Sequence, residues 1–458
     1  MDDDIRDRFR GISRGARDNA PMYQPRPSVP QSHVEASTTP KPEPPKPKPA
    51  KPPKAKKHRR KRSKKVKLLI FLFVILLIAG GAGYALYLRK YANRPAQQTE
   101  TPQVTKTEEP KLTGTIRFVA VGDSWAFESI NNAAKQPDGS YDYAPMMSAF
   151  KPFFDKSDIR LCNQTTSGGG GDISGYPSFN APLAWSSGFA GAGCNLINLA
   201  SDHMNDKGQP AIDATRTTWD AAQNMLAIAG ANRSAEEQSK ITYFSVKGLK
   251  FAYLAYTTNT LNKQVTPFGV NLYSDELASK QIAEARKNAK MVIVSMHWGV
   301  EDGLDINADQ DRIAQFLATQ NVDAVVGSGP RVLQPAKLLT GTDGHQTLVW
   351  FSLGNFLNSQ LPINNLIGGM AVMDIDAATL KIKTPKLIPV YMHYEWTAAQ
   401  KAAGNVNARH DFKLFPLDLA AEPLAKSLNG TTVEAQTTRV TGIVNTFTPI
   451  QVIKSTEF

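Results

Sequence analysis

Five segments of this sequence end an apolar run in residues able to bind a metal ion or move a proton. The segments are AVGD, RLCNQ, NLASDH, VSMHWGVED and FSLGN, and they supply Asp123, Asn163, Asp202 with His203, His297 and Asn355. Carboxylate, amide and imidazole groups are all metal ligands in proteins. Sites in α/β sheets gather beyond the carboxyl ends of strands. A single strand-end Asp is more often a helix cap or loop anchor, so the prediction of one site rests on the joint pattern.

The elements that would position these residues begin at residue 115. Strand-like segments such as TIRFVAVGD, DIRLCNQ, CNLINLASDH and KMVIVSMHWG alternate with helix-like ones such as QPAIDATRTTWDAAQNMLAIAG and NADQDRIAQFLATQ. This alternation predicts an α/β domain with a largely buried sheet. The later segment GGMAVMDIDAATLKIKTPKLIPVYM is strand-like and is expected to close the sheet.

The series of motifs resembles the CapA-type capsule-synthesis (poly-γ-glutamate synthesis, PGA_cap) family, a relative of the calcineurin-like metallophosphoesterases. The resemblance covers about 115–395 and is carried by FVAVGDSWAF, LCNQT, LASDHMNDKG, VSMHWGVE, VDAVVGSGPRVLQP and VWFSLGNFL. It implies a layered α/β fold of the metallophosphatase type and a divalent metal (manganese, zinc or iron). Four residues match the family's metal ligands: Asp123, Asn163, His203 and His297. Asp202 is a possible substitute oxygen ligand, and Asp202 and His203 are the expected catalytic residues.

Several positions depart from the family's pattern. Thr165 replaces a Glu, Ser201 and Asp202 replace two Asn, and Gly329 and Arg331 replace both His of an HPH motif. Glycine offers no ligand, and arginine is a permanent cation that repels a divalent metal.

Arg331 is therefore expected to pair with Asp123 or Asp202, or to bind a carboxylate or phosphate. Arg331, Glu301 and Asn355 are the predicted substrate-binding residues. Two hypotheses follow: a degenerate site that binds an anionic polymer, or an active metal-dependent hydrolase or transferase.

Aromatic residues near the predicted site have two interpretations. The loop TTSGGGGDISGYPSF is either a plain flexible loop or part of a cleft that includes Tyr176 and Phe179. Trp125, Trp298 and Trp350 lie near strand ends, where they either pack in the core or form a substrate platform.

Two other catalytic schemes fit less well. GDSWAF is faintly similar to the Gly-Asp-Ser of serine hydrolases, with Ser124 as the nucleophile, but HYEW and ARHDF are poor candidates for the His partner. GGGGD is not followed by Gly-Lys-Ser/Thr and is not a P-loop.

The positive charge of the chain lies in one segment. The 458 residues carry a formal charge of +12, and residues 41–67 hold 14 Lys or Arg and one Glu. The rest of the chain is nearly neutral, so a nucleic-acid-binding face on the folded part is unsupported. The Pro- and Lys-rich residues 1–66 predict a disordered cytoplasmic tail.

A membrane anchor is predicted directly after this basic segment. From 68 to 88 the sequence has no charged residue, and 21 residues of helix span about 31 Å, the thickness of the hydrocarbon core. A signal peptide would have a shorter apolar region near the N-terminus, and a nuclear-localisation signal is redundant beside an anchor.

The positive-inside rule then fixes the orientation of this single-pass anchor. We expect a transmembrane helix at 67–89, a spacer at 90–114, a CapA-like domain at 115–395 and its extension at 396–458, all beyond residue 90 being extracytoplasmic. The expected partners are the cell membrane, an anionic envelope polymer and other envelope-synthesis proteins, but no nucleic acid.

The sequence leaves the state of its two cysteines, Cys162 and Cys194, open. Placed at the end of one parallel strand and the start of the next, they are expected at opposite edges of the sheet as unpaired buried residues. A disulfide remains the alternative in an oxidising compartment.

Overall fold

The computed structural model describes residues 75, 77–87, 89, 112–264 and 266–458. They belong to two compact units, 1–104 and 105–458. In the first unit, residues 75, 77–87 and 89 are helical. No helix within the described residues is long and apolar enough to cross a membrane. The described residues do not include the predicted tail at 1–66. They also leave out the rest of the predicted span and most of the spacer.

The second unit contains two β-sheets. The first has eight strands in the order β13-β12-β11-β1-β2-β3-β4, with β14 beside β12. Its strands are β1 Thr115–Ser124, β2 Ile159–Gln164, β3 Leu196–Asn198, β4 Ala227–Ala229, β11 Ile367–Asp376, β12 Lys386–Glu395, β13 His410–Pro416 and β14 Gln451–Val452. Strands β1 to β4 run parallel, whereas β11 is antiparallel to β1. The sheet is therefore mixed.

The second sheet has six strands in the order β5-β6-β7-β8-β10-β9. They are β5 Thr242–Val246, β6 Leu249–Thr257, β7 Met291–His297, β8 Ala324–Ser328, β9 Ala336–Thr340 and β10 Gln346–Trp350. The central strands β6, β7, β8 and β10 are parallel. The carboxyl ends of β7 and β8 thus lie at one edge, near the end of β1, where Asp123 and Asn355 form a bridge.

Helices cover the outer faces and fill the connections. They are α1 Glu128–Ala134, α2 Ala144–Met147, α3 Lys151–Asp155, α4 Ala184–Ala192, α5 Gln209–Ala221, α6 Ala235–Ser239, α7 Asp275–Asn288, α8 Ala308–Thr319, α9 Ile363–Leu366, α10 Ala398–Ala402, α11 Ala421–Lys426 and α12 Val433–Val444. Helix α7 begins where the Ser274 side chain accepts a hydrogen bond from the Leu277 amide. Helix α8 begins with a capping box of Asn307 and Gln310.

The core lies between the sheets and beneath the helices of the second sheet. Successive side chains of a strand point to opposite faces. Phe251 and Tyr253 accordingly belong to the cluster that includes residues of the first sheet, whereas Ala252 and Leu254 belong to the cluster with α7 and α8. Both faces of β6 are buried, which explains its nearly continuous apolar sequence.

The layered α/β architecture is confirmed, but two details of the sequence prediction are wrong. The strands form two sheets instead of one, because the chain leaves the first sheet after β4 and starts a second at β5. The helix expected over 209–230 ends at Ala221, and Ala227–Ala229 form β4. Pairing of β4 with the buried β3 satisfies its backbone groups in place of a further helical turn.

The expectation of unpaired cysteines is also wrong, because Cys162 and Cys194 form a disulfide with their Cα atoms 6.0 Å apart. Cys162 lies within β2 and pairs in register with Ile197 of β3. Strand β3 has only three residues and begins at Leu196. Cys194 therefore precedes it by two residues and lies beside the middle of β2 instead of at the opposite edge.

Candidate functional site

The polar residues predicted from the strand ends meet at one edge of the two sheets. Asp123 comes from β1, His297 from the end of β7, and Asp202 and His203 from the turn after β3. Asp123 is tied to the neighbouring segment through its amide, which donates to the Gly354 carbonyl at 2.9 Å. Parallel strands of adjoining sheets thus bring together side chains far apart in sequence.

His297 lies between two carboxylates. Its Nε2 atom is 3.0 Å from Oδ1 of Asp202, and its Nδ1 atom is 3.9 Å from Oδ1 of Asp123. The same Nδ1 atom is 3.1 Å from the Ser328 hydroxyl. Both ring nitrogens are thus directed at oxygen atoms of neighbouring side chains.

Burial and charge act in opposite directions on these three groups. Burial alone would lower the pKa of His297, but the carboxylates of Asp202 and Asp123 outweigh burial and raise it. Burial would raise the pKa of Asp202, but the His297 imidazole outweighs it and lowers that pKa. For Asp123, burial dominates over His297 and the Gly329 amide and raises the pKa. The arrangement therefore favours an imidazolium paired chiefly with Asp202.

His203 is held by a carboxylate and two aromatic rings. Its Nδ1 atom lies 2.7 Å from Oδ2 of Asp206, which also accepts a hydrogen bond from the Phe179 amide. The rings of Trp125 and Phe179 meet the imidazole edge-on, with centroids 5.2 and 4.9 Å away. These contacts fix the ring so that Nε2 faces the interior of the site. The sequence signal for Asp206 is its spacing three residues after His203.

Arg331 lies beside His203 in the site. Its guanidinium carbon lies 4.1 Å from the Trp125 ring centroid, and its Nη2 atom lies 3.5 Å from Nε2 of His203. Its Nη1 atom pairs with Glu301. Arg331 thus pairs with Glu301, and the expected pairing with Asp123 or Asp202 is wrong. Its φ of +64° is unusual for a residue other than glycine.

The remaining predicted residues lie behind this set of side chains. Asn163 donates to the Val121 carbonyl and accepts from Asn198, so its amide is used in joining strands. Asn355 accepts from the Trp125 indole at 2.9 Å and donates to Gln360 at 2.7 Å. Asn355 therefore positions Trp125.

The structure also places the residues for which the sequence gave two interpretations. Trp298 and Trp350 are buried core residues. Trp298 donates to the Phe351 carbonyl and stacks on that ring. Phe179 is buried against His203, whereas Tyr176 is 53% exposed. The Ser124 hydroxyl is buried and has no hydrogen-bond partner among the described residues, so none of these residues is positioned as a base to activate it.

The donor set does not fit a pair of metal ions in this arrangement. Gly329 and Arg331 supply no ligand, and both nitrogens of His297 face other side chains. Among the described residues, the group of His, Cys, Asp or Glu side chains whose ligand atoms lie within 4.8 Å of one another is Glu395, His410 and Asp411, all exposed. The metal-ligand set Asp123, Asn163, His203 and His297 stays a prediction.

Gly329 is required by the backbone at this point. Its φ is +110°, and an added Cβ atom would lie 2.3 Å from the Trp298 carbonyl oxygen. The Gly329 amide donates to Asp123 at 2.8 Å. A histidine at this position would therefore need a different path of the chain between β8 and β9.

The strand-end motifs follow one another in the order of a known protein family. Residues 117–360, more than half of the chain, match the family model described as bacterial capsule synthesis protein PGA_cap, and the chain belongs to this family. The chain is 33% identical over 169 residues to PGA biosynthesis protein CapA of Bacillus subtilis (strain 168), covering 36% of this chain and 43% of that protein.

Other comparisons are weaker. Capsule biosynthesis protein CapA of Bacillus anthracis is 29% identical over 177 residues, which cover 37% of this chain and 41% of that protein. The chain thus spans less than half the length of either relative. A solved phosphatase from Mycoplasma pneumoniae has a TM-score of 0.40 and 12% identity over 60% of this chain and 94% of its own. A 5'-nucleotidase precursor from Thermus thermophilus has a TM-score of 0.38 and 15% identity over 60% and 54%.

Proposed function

We propose that this protein is a single-pass membrane protein whose extracytoplasmic domain binds an anionic polymer, such as poly-γ-glutamate, during capsule or other cell-envelope polymer synthesis, anchoring or export. Family membership supports the role in capsule synthesis. The uncharged run from 68 to 88 supports the anchor, and the basic residues before it support a cytoplasmic N-terminus. The disulfide favours an oxidising compartment for the domain.

The position of Arg331 is the observation that carries the binding proposal. Its guanidinium replaces a metal-binding side chain with a fixed cation, stacked on Trp125 and beside His203. Its Nε atom is buried and has no hydrogen-bond partner. Guanidinium groups bind carboxylates through paired hydrogen bonds, and a γ-linked polyglutamate offers one free carboxylate in each unit.

Binding of poly-γ-glutamate to the purified full chain tests this proposal. Arg331→Gln removes the cation but retains a polar side chain, and we expect at least about ten-fold weaker binding, since hydrogen bonds to charged groups contribute about 1.5–3 kcal/mol. Arg312→Gln is the matched control, because Arg312 is exposed and pairs with Asp275 on the surface. Equal binding by wild type and Arg331→Gln would exclude this role for Arg331.

A metal-dependent hydrolase or transferase is the second candidate function. Oδ1 of Asp123 is buried and has no hydrogen-bond partner among the described residues, and a cation would stabilise such an atom. Metal analysis of the purified chain separates the two candidates. Near-stoichiometric manganese, zinc or iron, lost in His203→Ala, would support the enzyme. Absence of metal, with polymer binding that is lost in Arg331→Ala, would support the binding protein.

The proposed location has its own test. Both cysteines of the chain are in the disulfide, so a single cysteine introduced by Lys240→Cys at an exposed position is the only free thiol. A membrane-impermeant maleimide applied to intact cells should label it. Labelling only after cell lysis would contradict an extracytoplasmic domain. Association with other envelope-synthesis proteins is part of the same proposal and is tested by crosslinking in the intact cells.

A further inference from the structure

A small cavity, which we call the C-terminal cleft, lies where the segment after Asn355 meets the C-terminal extension. Three aromatic residues and two lysines contribute to its lining: Tyr391, Tyr394, Trp396, Lys401 and Lys426. Its volume is about 40 Å³, and one water needs about 10–15 Å³ measured in this way. The cleft therefore has room for a group the size of a carboxylate.

The charged side chains that line the C-terminal cleft are the two lysines, Lys401 and Lys426. Lys401 makes only a long contact, 3.5 Å, with the Leu428 carbonyl. Lys426 pairs with Glu422, and the side chains are 59% and 79% exposed. Such exposed pairs contribute little stability and exchange readily with other partners.

A third cation, Arg409, packs against two of the aromatic residues that line the cleft. The guanidinium of Arg409 lies 5.3 Å from the Tyr394 ring centroid and 5.6 Å from that of Trp396. Arg409 is 7% exposed, and its Nη1 atom has no hydrogen-bond partner. The two rings hold this charge by cation–π attraction, and the acids that act on Lys426, Glu422 and Glu395, are both exposed.

The C-terminal cleft is connected to Arg331 by a series of direct contacts. Arg331 stacks on Trp125, whose indole donates to Asn355. Asn355 donates to the Gln360 side chain, and the Tyr394 hydroxyl donates to the Gln360 carbonyl at 3.0 Å. The segment 355–366 thus reaches both places, because Asn365 donates to the Arg331 carbonyl at 3.5 Å and Leu366 lines the cleft.

We propose that the C-terminal cleft is a second subsite for the same carboxylate-bearing polymer, engaged together with Arg331 by one chain of that polymer. This inference rests on the proposed function of the Arg331 site. The ligand group is a carboxylate of the polymer, which Lys401 and Lys426 bind, while Tyr394 and Trp396 contact the apolar methylenes beside it. Two linked contacts raise the affinity for a long polymer far above that for a short one, because the second contact is intramolecular.

The test compares a long poly-γ-glutamate with a γ-linked glutamate trimer, each binding to the purified full chain. The variant Lys401→Gln/Lys426→Gln should bind the long polymer about ten-fold more weakly and the trimer unchanged. Arg331→Gln should weaken the binding of both. The control Lys240→Gln/Lys287→Gln removes two exposed lysines, each paired with a glutamate as Lys426 is, and should bind both ligands like wild type.

Each alternative result has a definite meaning. Wild-type binding of the long polymer by the cleft variant, or an equal loss in the control, would overturn the second subsite. An equal loss of trimer binding in the cleft variant would also overturn it, because the cleft would then not be separate from Arg331. If Arg331→Gln binds both ligands normally while the cleft variant loses the long polymer, the Arg331 site fails and the cleft stands alone.

Discussion

Glu301 covers Arg331 with a carboxylate of its own. The Arg331 side chain is 5% exposed and that of Glu301 is 55% exposed, so the pair joins a buried cation to a residue in contact with solvent. Glu301 belongs to the turn that follows β7, in which Val300 is also exposed. Because the exposed Glu301 carboxylate pairs with the buried Arg331 guanidinium, it lies where a carboxylate of the polymer would bind.

Removing the charge of Glu301 should therefore strengthen polymer binding. We expect Glu301→Gln to raise the affinity for poly-γ-glutamate about two- to five-fold, because a partly exposed ion pair contributes up to about 1 kcal/mol. Titration of the purified chain with the polymer measures this. Glu284→Gln, which removes an exposed glutamate paired with Lys287, should have no effect. Weaker binding by Glu301→Gln would mean that Glu301 assists the polymer instead of competing with it.

The pairing of His297 with Asp202 predicts the direction of a pKa change. The carboxylates raise the pKa of His297 above its ordinary value of 6.5 against the effect of burial. Asp202→Asn removes the main carboxylate, so the pKa of His297 should fall. NMR titration of the His297 ring protons measures this pKa. The surface variant His410→Gln is the control and should leave the pKa of His297 unchanged.

The same shift fixes how stability depends on pH. A raised pKa in the folded state stabilises the protein fully below the unfolded value, and this stabilisation is lost as pH rises through the folded value. The contribution of His297 to the free energy of unfolding of wild type should therefore decline as the pH rises from its unfolded to its folded pKa. This decline should be smaller in Asp202→Asn. Urea unfolding at a series of pH values checks it, and an unchanged decline in the variant would contradict the assignment.

The requirement for glycine at position 329 is tested by protein stability. Gly329→Ala places a Cβ atom 2.3 Å from the Trp298 carbonyl oxygen at a φ of +110°, so we expect a loss of about 2 kcal/mol or more in the free energy of unfolding. The control is Gly442→Ala in α12, where no atom lies within 4 Å of the added Cβ. It should raise stability by up to about 1 kcal/mol because alanine favours helix.

The disulfide should stabilise the domain substantially. Cys162 and Cys194 are 32 residues apart, and a loop of this length corresponds to about 3–4 kcal/mol in the chain-entropy estimate. The variant Cys162→Ala/Cys194→Ala should lose about this much, measured by urea unfolding. Reductant should bring wild type close to the variant and leave the variant unchanged. A midpoint insensitive to reductant would show that the bridge contributes little.

Local sequence signals predicted the elements well where periodicity and caps agree. The apolar runs of β1 and β7 and the capped helix α8 lie where the sequence placed them. The short strands β3 and β4 were harder to predict, because three residues carry too little periodicity to distinguish a strand from a helix end. The error at β4 and the error about Cys194 both follow from that.

The site shows the same division. Residue types at strand ends pointed to Asp123, Asp202, His203 and His297, and the resemblance to the family pointed to Arg331. They did not indicate that Arg331 pairs with Glu301 or that Asn355 holds Trp125. Those contacts join residues up to 230 positions apart, and no local pattern encodes such pairs.

The sequence by itself determined the alternation of strands and helices and the polar residues at the strand ends. These are properties of short segments, set by hydrophobic period and side-chain chemistry. Only the tertiary structure decided that there are two sheets, that Cys162 reaches Cys194, and which carboxylate each cation meets. The sequence alone does not distinguish between the possible contacts of these side chains. The choice is made by burial, charge and the path of the backbone at the edge where the two sheets meet.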